Sequence, residues 1–205
     1  MEYWLLTTEY PPQHGGGIST YCAYTAKMFH QKGHKVTVFT SDDSIGGIRE
    51  EVEDEIRVVR FSPGITNVGS FLGYFAKLSY AFAEVIKRYI IKEGAPDILE
   101  AQEYCGIAYF IQQFKLLEYP YFKDLNIAIT CHAPAFLYLE YNHDPIYKLP
   151  NYWIGQMEKA SIRSADLLLS PSLYLMSRLK EKMRWDGLQE HVIANPMYVE
   201  QHVYE

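Results

Sequence analysis

Residues 3–40 read YWLLTTEYPPQHGGGISTYCAYTAKMFHQKGHKVTVFT, and this stretch decides the fold. Residues 3–8 are apolar and β-prone, which predicts a buried strand. From Ile18 to Gln31 the apolar side chains recur every three or four positions, so we expect an amphipathic helix that stops at Gly33. Residues 35–40 resume a strand pattern. The whole stretch therefore predicts a parallel β–α–β unit with a right-handed crossover.

Three consecutive glycines, Gly15, Gly16 and Gly17, stand where the loop opens this helix. There, free backbone N–H groups and the positive end of the helix dipole favour an anion such as a phosphate. The alternative is that the glycines only permit a tight turn. The residues alone leave both interpretations open.

The rest of the chain continues to alternate between strands and helices. Short apolar runs predict strands at residues 57–61, 98–101, 126–131, 166–170 and 191–193. Helical spacing is found at residues 71–90, 105–117, 152–163 and 172–183. The acid-rich run from Glu50 to Glu55 predicts a solvated edge or turn, and residues 136–152 are aromatic and irregular. We therefore expect an α/β fold, a Rossmann-like, doubly wound, mainly parallel sheet with helices on both faces.

Length, charge and cysteine content narrow the class of protein. At 205 residues the chain can bury a substantial core, and its net charge of −6 argues against a nucleic-acid binder. Its three widely spaced cysteines favour reduced, buried thiols in a cytoplasmic protein. We see no basic leader and no apolar run of membrane-spanning length. The helix at residues 71–90 could lie on a membrane surface, but a core-packed helix suits an acidic chain better.

Polar side chains gather where the predicted strands end. Thr8 with the glycine loop, residues 100–103, His132 and Ser170 all fall at such carboxyl ends, where ligands bind in open parallel sheets. His132 is the best single catalytic candidate, because an imidazole there could hydrogen-bond a substrate hydroxyl or phosphate and titrate near neutrality. The alternative is a core or capping histidine.

Two other kinds of site fit the sequence less well. A dinucleotide fingerprint would use the glycine loop with Asp42 or Asp43 after the second strand, but Thr20 replaces its third glycine. A nicotinamide oxidoreductase is therefore a minor alternative. The histidines and cysteines lack metal-ligand spacing, so we expect no metal.

Taken together, the motifs give the chain a family resemblance. In order, they are the proline-containing loop with Gly15-Gly16-Gly17, GHKVTV (33–38), PDIL (96–99), ITCH (129–132), SADLLLSPS (164–172) and VIANP (192–196). With these the chain resembles the N-terminal half of a retaining glycosyltransferase of family 4. The resemblance implies a GT-B enzyme, in which two Rossmann-like domains face a cleft and a nucleotide-sugar is the donor substrate, with no cofactor or metal. It also implies that the glycine loop lies near the donor phosphates and acceptor, and that His132 lies near the transferred sugar.

The resemblance also marks what this stretch of chain does not hold. The family's second domain carries two glutamates eight positions apart, and no pair with that spacing occurs here. We therefore expect residues 1–196 to be the acceptor-side domain and residues 197–205 to begin an interdomain linker. The donor-binding domain would lie outside the chain, and the isolated domain would be inactive.

The acceptor side of such a cleft would contain aromatic and polar side chains, since aromatic rings can stack on sugars. The candidate acceptor contacts are Tyr10, Gln13, Glu103, Tyr138 and Tyr141. By the resemblance, the enzyme would transfer a hexose to a hydroxyl of a sugar or lipid-linked acceptor. The alternative is a non-catalytic α/β binding or scaffold domain that shares the fold.

Overall fold

The structure is a computed structural model and describes residues 1–12, 15–68, 70–184 and 189–197. Across these residues it contains eight strands and six α-helices. The strands are β1 (Glu2–Thr7), β2 (Lys35–Ser41), β3 (Ile48–Glu53), β4 (Ile56–Phe61), β5 (Ile98–Gln102), β6 (Ile127–Thr130), β7 (Leu167–Ser170) and β8 (Glu190–Val192). The helices are α1 (Gly17–Gln31), α2 (Tyr74–Glu93), α3 (Tyr109–Leu116), α4 (Ala135–Tyr141), α5 (Asn151–Arg163) and α6 (Leu173–Met183).

All eight strands form one sheet in the order β3-β4-β2-β1-β5-β6-β7-β8. Every neighbouring pair is parallel except β3 and β4. From β1 the chain builds outward through β2 to one edge, then returns to β5 and builds toward the other edge. The strand order therefore reverses between β1 and β5, and ligands of doubly wound sheets bind beside such a reversal point.

Side chains of β1 alternate between two cores, because successive residues of a strand point to opposite faces. Tyr3 and Leu5 pack with α1 on one face, while Trp4 and Leu6 pack with α2 on the other. All four side chains are buried. The α/β, Rossmann-like, doubly wound fold with helices on both faces is thus confirmed, and α2 is a core-packed helix.

The acidic run beside β4 was predicted as a solvated edge or turn, and it forms the edge strand β3 followed by a turn at residues 54 and 55. Its carboxylates are paired across the hairpin with arginines of β4. Glu50 accepts a hydrogen bond from Arg57 at 2.9 Å, and Glu53 accepts one from Arg60 at 2.6 Å. Arg60 also pairs with Glu51. Opposite charges on facing positions let so acidic a segment join a sheet edge.

The segment after His132 is more regular than its aromatic composition suggested. Residues 135–141 form α4, which starts after Pro134 and buries Ala135, Phe136, Leu137 and Leu139. The predicted helix at 105–117 is shorter than expected, because a 3₁₀ turn over Tyr104–Gly106 precedes α3. Cys105 has a left-handed φ of 56° in that turn, which no α-helix accommodates.

Two expectations from composition can be compared with the structure. Cys22, Cys105 and Cys131 are buried and unpaired, as predicted. None of the helices in the described part of the chain has the length and apolarity that crossing a bilayer requires. The linker expected at residues 197–205 lies outside the described residues apart from Met197.

Candidate functional site

A pocket of about 350 Å³ opens at the carboxyl edge of the sheet, beside the reversal point. It is lined by Gly17, Ile18, Tyr104, His132, Ala133, Tyr138, Pro171 and Asn195. These residues come from the start of α1, from the ends of β5, β6, β7 and β8, and from α4. The structure thus brings Gly17, His132 and Tyr138 together, although they are far apart in the sequence.

The glycine loop meets this pocket at the N-terminus of α1. None of the three glycines has a left-handed φ, so the loop is not a turn that requires glycine for that reason. A Cβ on Gly15 would lie 1.6 Å from the carboxylate of Glu9, whereas Cβ atoms on Gly16 or Gly17 would meet nothing within 4 Å. Gly15 is therefore small because Glu9 lies against it, and the other two leave open space at the start of the helix.

Glu9 already uses part of the anion-binding capacity of this loop. Its Oε2 accepts a hydrogen bond from the backbone N–H of Gly16 at 3.0 Å. The N-cap position of α1 is Gly16, which has no side chain to cap the helix, and no acidic residue lies in the first turn. The start of α1 therefore attracts negative charge, and in this structure a carboxylate satisfies one of its amides.

His132 is half-buried at the back of the pocket. Its ring stands edge-on to Tyr21 with the ring centroids 4.6 Å apart, and its Nε2 has no hydrogen-bond partner among the described residues. Burial lowers the pKa of the imidazole to about 4. The expectation that His132 titrates near neutrality is therefore wrong. A neutral imidazole can still donate or accept hydrogen bonds, although Nε2 itself is buried in this structure.

The candidate acceptor residues are placed very differently. Tyr138 lines the pocket. Tyr141 is exposed one turn further along α4, where its hydroxyl accepts from Nε of Arg178 at 3.1 Å. Tyr10 is buried in the core beneath α1. Gln13 lies outside the described residues.

Glu103 is fully buried and presents no surface to the pocket. Its Oε1 accepts hydrogen bonds from the backbone N–H groups of His132 and Ala133. Glu103 was predicted to contact the acceptor. The structure instead places the carboxylate underneath the loop that carries His132.

Several pocket residues were missed by the sequence analysis, among them Tyr104 and Asn195. Both stand just past the carboxyl end of a strand, Tyr104 after β5 and Asn195 after β8. Their position was the available signal, since any residue at such an end is a candidate in this class of sheet. Nothing in their residue types distinguished them.

The described residues give little support to a metal site or to a dinucleotide site. No three His, Cys, Asp or Glu side chains in the described ranges lie close enough together to hold a metal ion. The two acids after β2 that a dinucleotide site would use are bonded to the chain itself. Asp42 accepts from the hydroxyl of Ser44 at 2.6 Å, and Asp43 accepts from the hydroxyl of Tyr74 at 2.7 Å.

Comparison with known families identifies the domain. The model of Glycosyltransferase Family 4 matches residues 15–201, which include the glycine loop and every residue of the pocket. The chain belongs to glycosyltransferase family 4. Its family-4 sequence thus confirms the resemblance that the separate motifs suggested.

Solved structures agree with this family-4 assignment at the level of fold. The catalytic domain of starch synthase IV from Arabidopsis thaliana, bound to ADP and acarbose, has a TM-score of 0.60 and 17% identity, covering 95% of this chain and 51% of that one. UGT2 of Phytolacca americana, complexed with UDP-2-fluoro-glucose and pterostilbene, has a TM-score of 0.57 and 6% identity, covering 94% and 53%. The chain therefore has the fold of one half of a GT-B glycosyltransferase.

The share of the solved structures that this chain covers limits the family assignment to one domain. The family-4 chain spans about half the length of the solved structures that it matches. No curated protein matches it by sequence. The domain is a glycosyltransferase domain of GT-B type.

Proposed function

We propose that this domain is the acceptor side of a retaining glycosyltransferase that transfers a hexose from a nucleotide-sugar to a hydroxyl of a sugar or lipid-linked acceptor. A second domain in the same protein would bind the donor, with residues 197–205 leading into it. The domain by itself would then be inactive. We also propose that the reaction needs no metal and takes place in the cytoplasm, which the buried, unpaired thiols favour.

One observation carries the proposal. The pocket joins the N-terminus of α1, a half-buried neutral histidine and a tyrosine at the carboxyl edge of the sheet. The helix N-terminus suits an anion, His132 offers a hydrogen bond, and the ring of Tyr138 offers a face for a sugar. These are the features needed where a sugar carrying a diphosphate meets an acceptor hydroxyl.

The proposed division of labour follows from charge. Gly16 and Gly17 would leave room for a phosphate to approach the start of α1, where amides support the negative charge of the leaving diphosphate. A second domain would supply the basic side chains. His132 would orient the transferred sugar through a hydrogen bond from its neutral ring, since its pKa of about 4 precludes a charged imidazolium at neutral pH.

The test is sugar transfer by a protein that includes the coding sequence downstream of Glu205. UDP-, GDP- and ADP-hexoses would be offered with a panel of sugar and lipid-linked acceptors, and the nucleoside diphosphate and product would be measured. We expect transfer without added metal and, by proton NMR, a product that keeps the anomeric configuration of the donor. An inverted product would contradict the retaining mechanism. A folded protein with no transfer and no donor binding would favour the scaffold alternative.

A further inference from the structure

Two buried carboxylates lie behind the pocket without reaching it. Glu103 follows β5 and is fully buried, and its Oε1 accepts from the N–H groups of His132 at 2.8 Å and Ala133 at 2.7 Å. The loop that carries the candidate histidine is thus bound at two consecutive amides. Both bonds go to a single oxygen from a neighbouring strand end.

Glu158 on α5 makes the complementary set of bonds. Its Oε1 accepts from the N–H of Cys105 at 3.0 Å and from that of Ala135 at 2.8 Å. Its Oε2 accepts from the N–H of Phe136 at 3.1 Å. This carboxylate therefore ties the turn after β5 to the start of α4.

Together, the two sets of bonds hold the backbone that forms the wall of the pocket. Tyr104 lies beside Cys105, and Tyr138 follows Phe136 on α4, so the backbone beneath Tyr104, His132, Ala133 and Tyr138 is held by five amide–carboxylate bonds. When the two carboxyl groups are ionised, these hydrogen bonds are about twice as strong as neutral ones. Few other groups could replace them, because the backbone there is buried.

The turn that these bonds hold is closely fitted to α5. Gly106 has a φ of 63°, and a Cβ there would lie 2.5 Å from the Cβ of Met157. Cys105, next to it, is also left-handed, with a φ of 56°. Such a backbone conformation persists only where the surroundings enforce it. The bond from Cys105 to Glu158 is one such constraint.

We propose that Glu103 and Glu158 are positioning residues of the candidate site, which hold the loops of Tyr104, His132 and Tyr138 through their backbone amides. The effect of this arrangement on catalysis rests on the proposed function, whereas its effect on the loops does not. Neither carboxylate touches the pocket, so neither is a catalytic residue.

Glu103 and Glu158 are two acidic side chains in the same buried region. Burial raises the pKa of Glu103 to about 8 and that of Glu158 to about 7, and the charge of Glu158 raises that of Glu103 further. The thiols of Cys105 and Cys131 face the same pair, and Lys159 lies next to Glu158. The backbone amides favour the ionised forms of both carboxyl groups, and the charge of Lys159 favours that of Glu158 as well.

The same bonds occupy amides at the start of α4. The amides of Ala135 and Phe136 are satisfied by Glu158 and are not available to a ligand. The start of α1 lines the pocket through Gly17 and Ile18, and Glu9 bonds the amide of Gly16 there.

Amide hydrogen exchange on this chain tests the proposal without any substrate. In Glu103→Leu, which keeps the volume and removes the acceptor, exchange at His132 and Ala133 should speed up about tenfold or more relative to the core strands. Glu158→Leu should do the same at Cys105, Ala135 and Phe136 instead. The variants Glu103→Gln and Glu158→Gln keep one acceptor oxygen and should restore most of the protection.

A buried carboxylate elsewhere in the sheet gives the matched control. Within the described part of the chain, Glu100 accepts from the hydroxyl groups of Tyr3, Tyr21 and Thr130 and from no backbone amide, so Glu100→Gln should leave the exchange at His132 and Ala133 unchanged. Exchange that rises equally over the whole chain in Glu103→Leu, or that stays unchanged at His132 and Ala133, would overturn the proposal.

A second test of the proposal measures the kinetics of variants in the active protein. Glu103→Leu should lower kcat with little change in the KM for the nucleotide-sugar, and should add little to the loss caused by His132→Ala. Full additivity of the two substitutions would overturn the link to His132. If the protein transfers no sugar, the proposed function fails, while the exchange experiment still decides the positioning role.

Discussion

At the scale of single residues, the site combines groups whose pKa values move in opposite directions. Burial lowers the pKa of His132 to about 4 and raises those of Glu103 and Glu158 to about 8 and 7. Burial in the low dielectric behind the pocket holds all three toward their uncharged forms, and the charge of Glu158 adds to this effect at Glu103. Uncharged groups at and behind the pocket suit the recognition of sugar hydroxyls better than proton transfer.

These shifts predict how stability depends on pH. A histidine with a lowered pKa costs stability as the pH falls from about 6.5 toward 4, because only the unfolded chain takes up the proton. A carboxyl group with a raised pKa costs stability as the pH rises from about 4.5 to 8, because only the unfolded chain releases it. Each proton accounts for about 1.4 kcal/mol per pH unit.

Urea unfolding at several pH values checks both signs. We expect His132→Gln to flatten the fall in stability on the acid side and Glu103→Gln to flatten the fall between pH 5 and 8. His30→Gln, at the far end of α1, serves as the histidine control. If the pH profiles of the wild type and the two variants were parallel, these groups would not be shifted as described.

Glu9 gives a second prediction at this scale. Its carboxylate bonds the amide of Gly16, where a donor phosphate would compete with it. Glu9→Gln should therefore tighten the binding of UDP to the protein that includes the donor domain by about two- to fivefold, in line with about 0.5–1 kcal/mol for a charge at a helix N-terminus. Calorimetric titration measures this, with Glu55→Gln as a control for net charge. Weaker binding by Glu9→Gln would mean that the carboxylate supports the loop rather than competes with the ligand.

At the scale of secondary-structure elements, apolar periodicity predicted most of the strands of the sheet. It did not predict two elements, strand β3 and helix α4. Strands β1 and β2 and helix α1 were predicted within a residue or two, because their apolar patterns reflect burial on the faces that they present. Strand β3 was missed since its carboxylates look solvated until their arginine partners on β4 are known. Helix α4 was missed because seven residues are too few to establish a helical period.

The β3–β4 hairpin supports a prediction about stability. Arg60 is almost completely buried, pairs with Glu51 and Glu53, and donates to the carbonyl of Pro11 in the loop that leads to the glycines. Arg60→Leu should destabilise the fold by about 3 kcal/mol, because it leaves two carboxylates without their shared cation.

A more exposed ion pair within β3, between Arg49 and Glu51, provides the comparison. Arg49 meets Glu51 at 3.4 Å with two thirds of its side chain in solvent, so Arg49→Leu should change stability by less than about 1 kcal/mol. Guanidinium unfolding measures both variants. Equal losses would show that burial of Arg60 has no special weight.

At the scale of the whole molecule, the sequence predicted where the site lies better than how it is held. Gly17 and His132 were singled out because parallel strands deliver their ends to one edge. Tyr138 was singled out as an aromatic residue on the acceptor side that the family resemblance implies, and the pocket joins all three. Glu158 was not predictable as part of the site, because it lies mid-helix and only the packing of α5 against the 3₁₀ turn gives it a role. Two-domain function stays a prediction, since the chain spans half of the structures that it matches.

The measurement that tests the account most directly is the kcat of sugar transfer by His132→Ala in the protein that includes the donor domain. Loss of one preorganised hydrogen bond at a transition state costs about 10²- to 10³-fold. We expect a loss of that size for His132→Ala and none for His30→Ala, whose side chain lies at the opposite end of α1. Equal rates for the wild type and both variants would contradict the assignment of this pocket as the site of transfer.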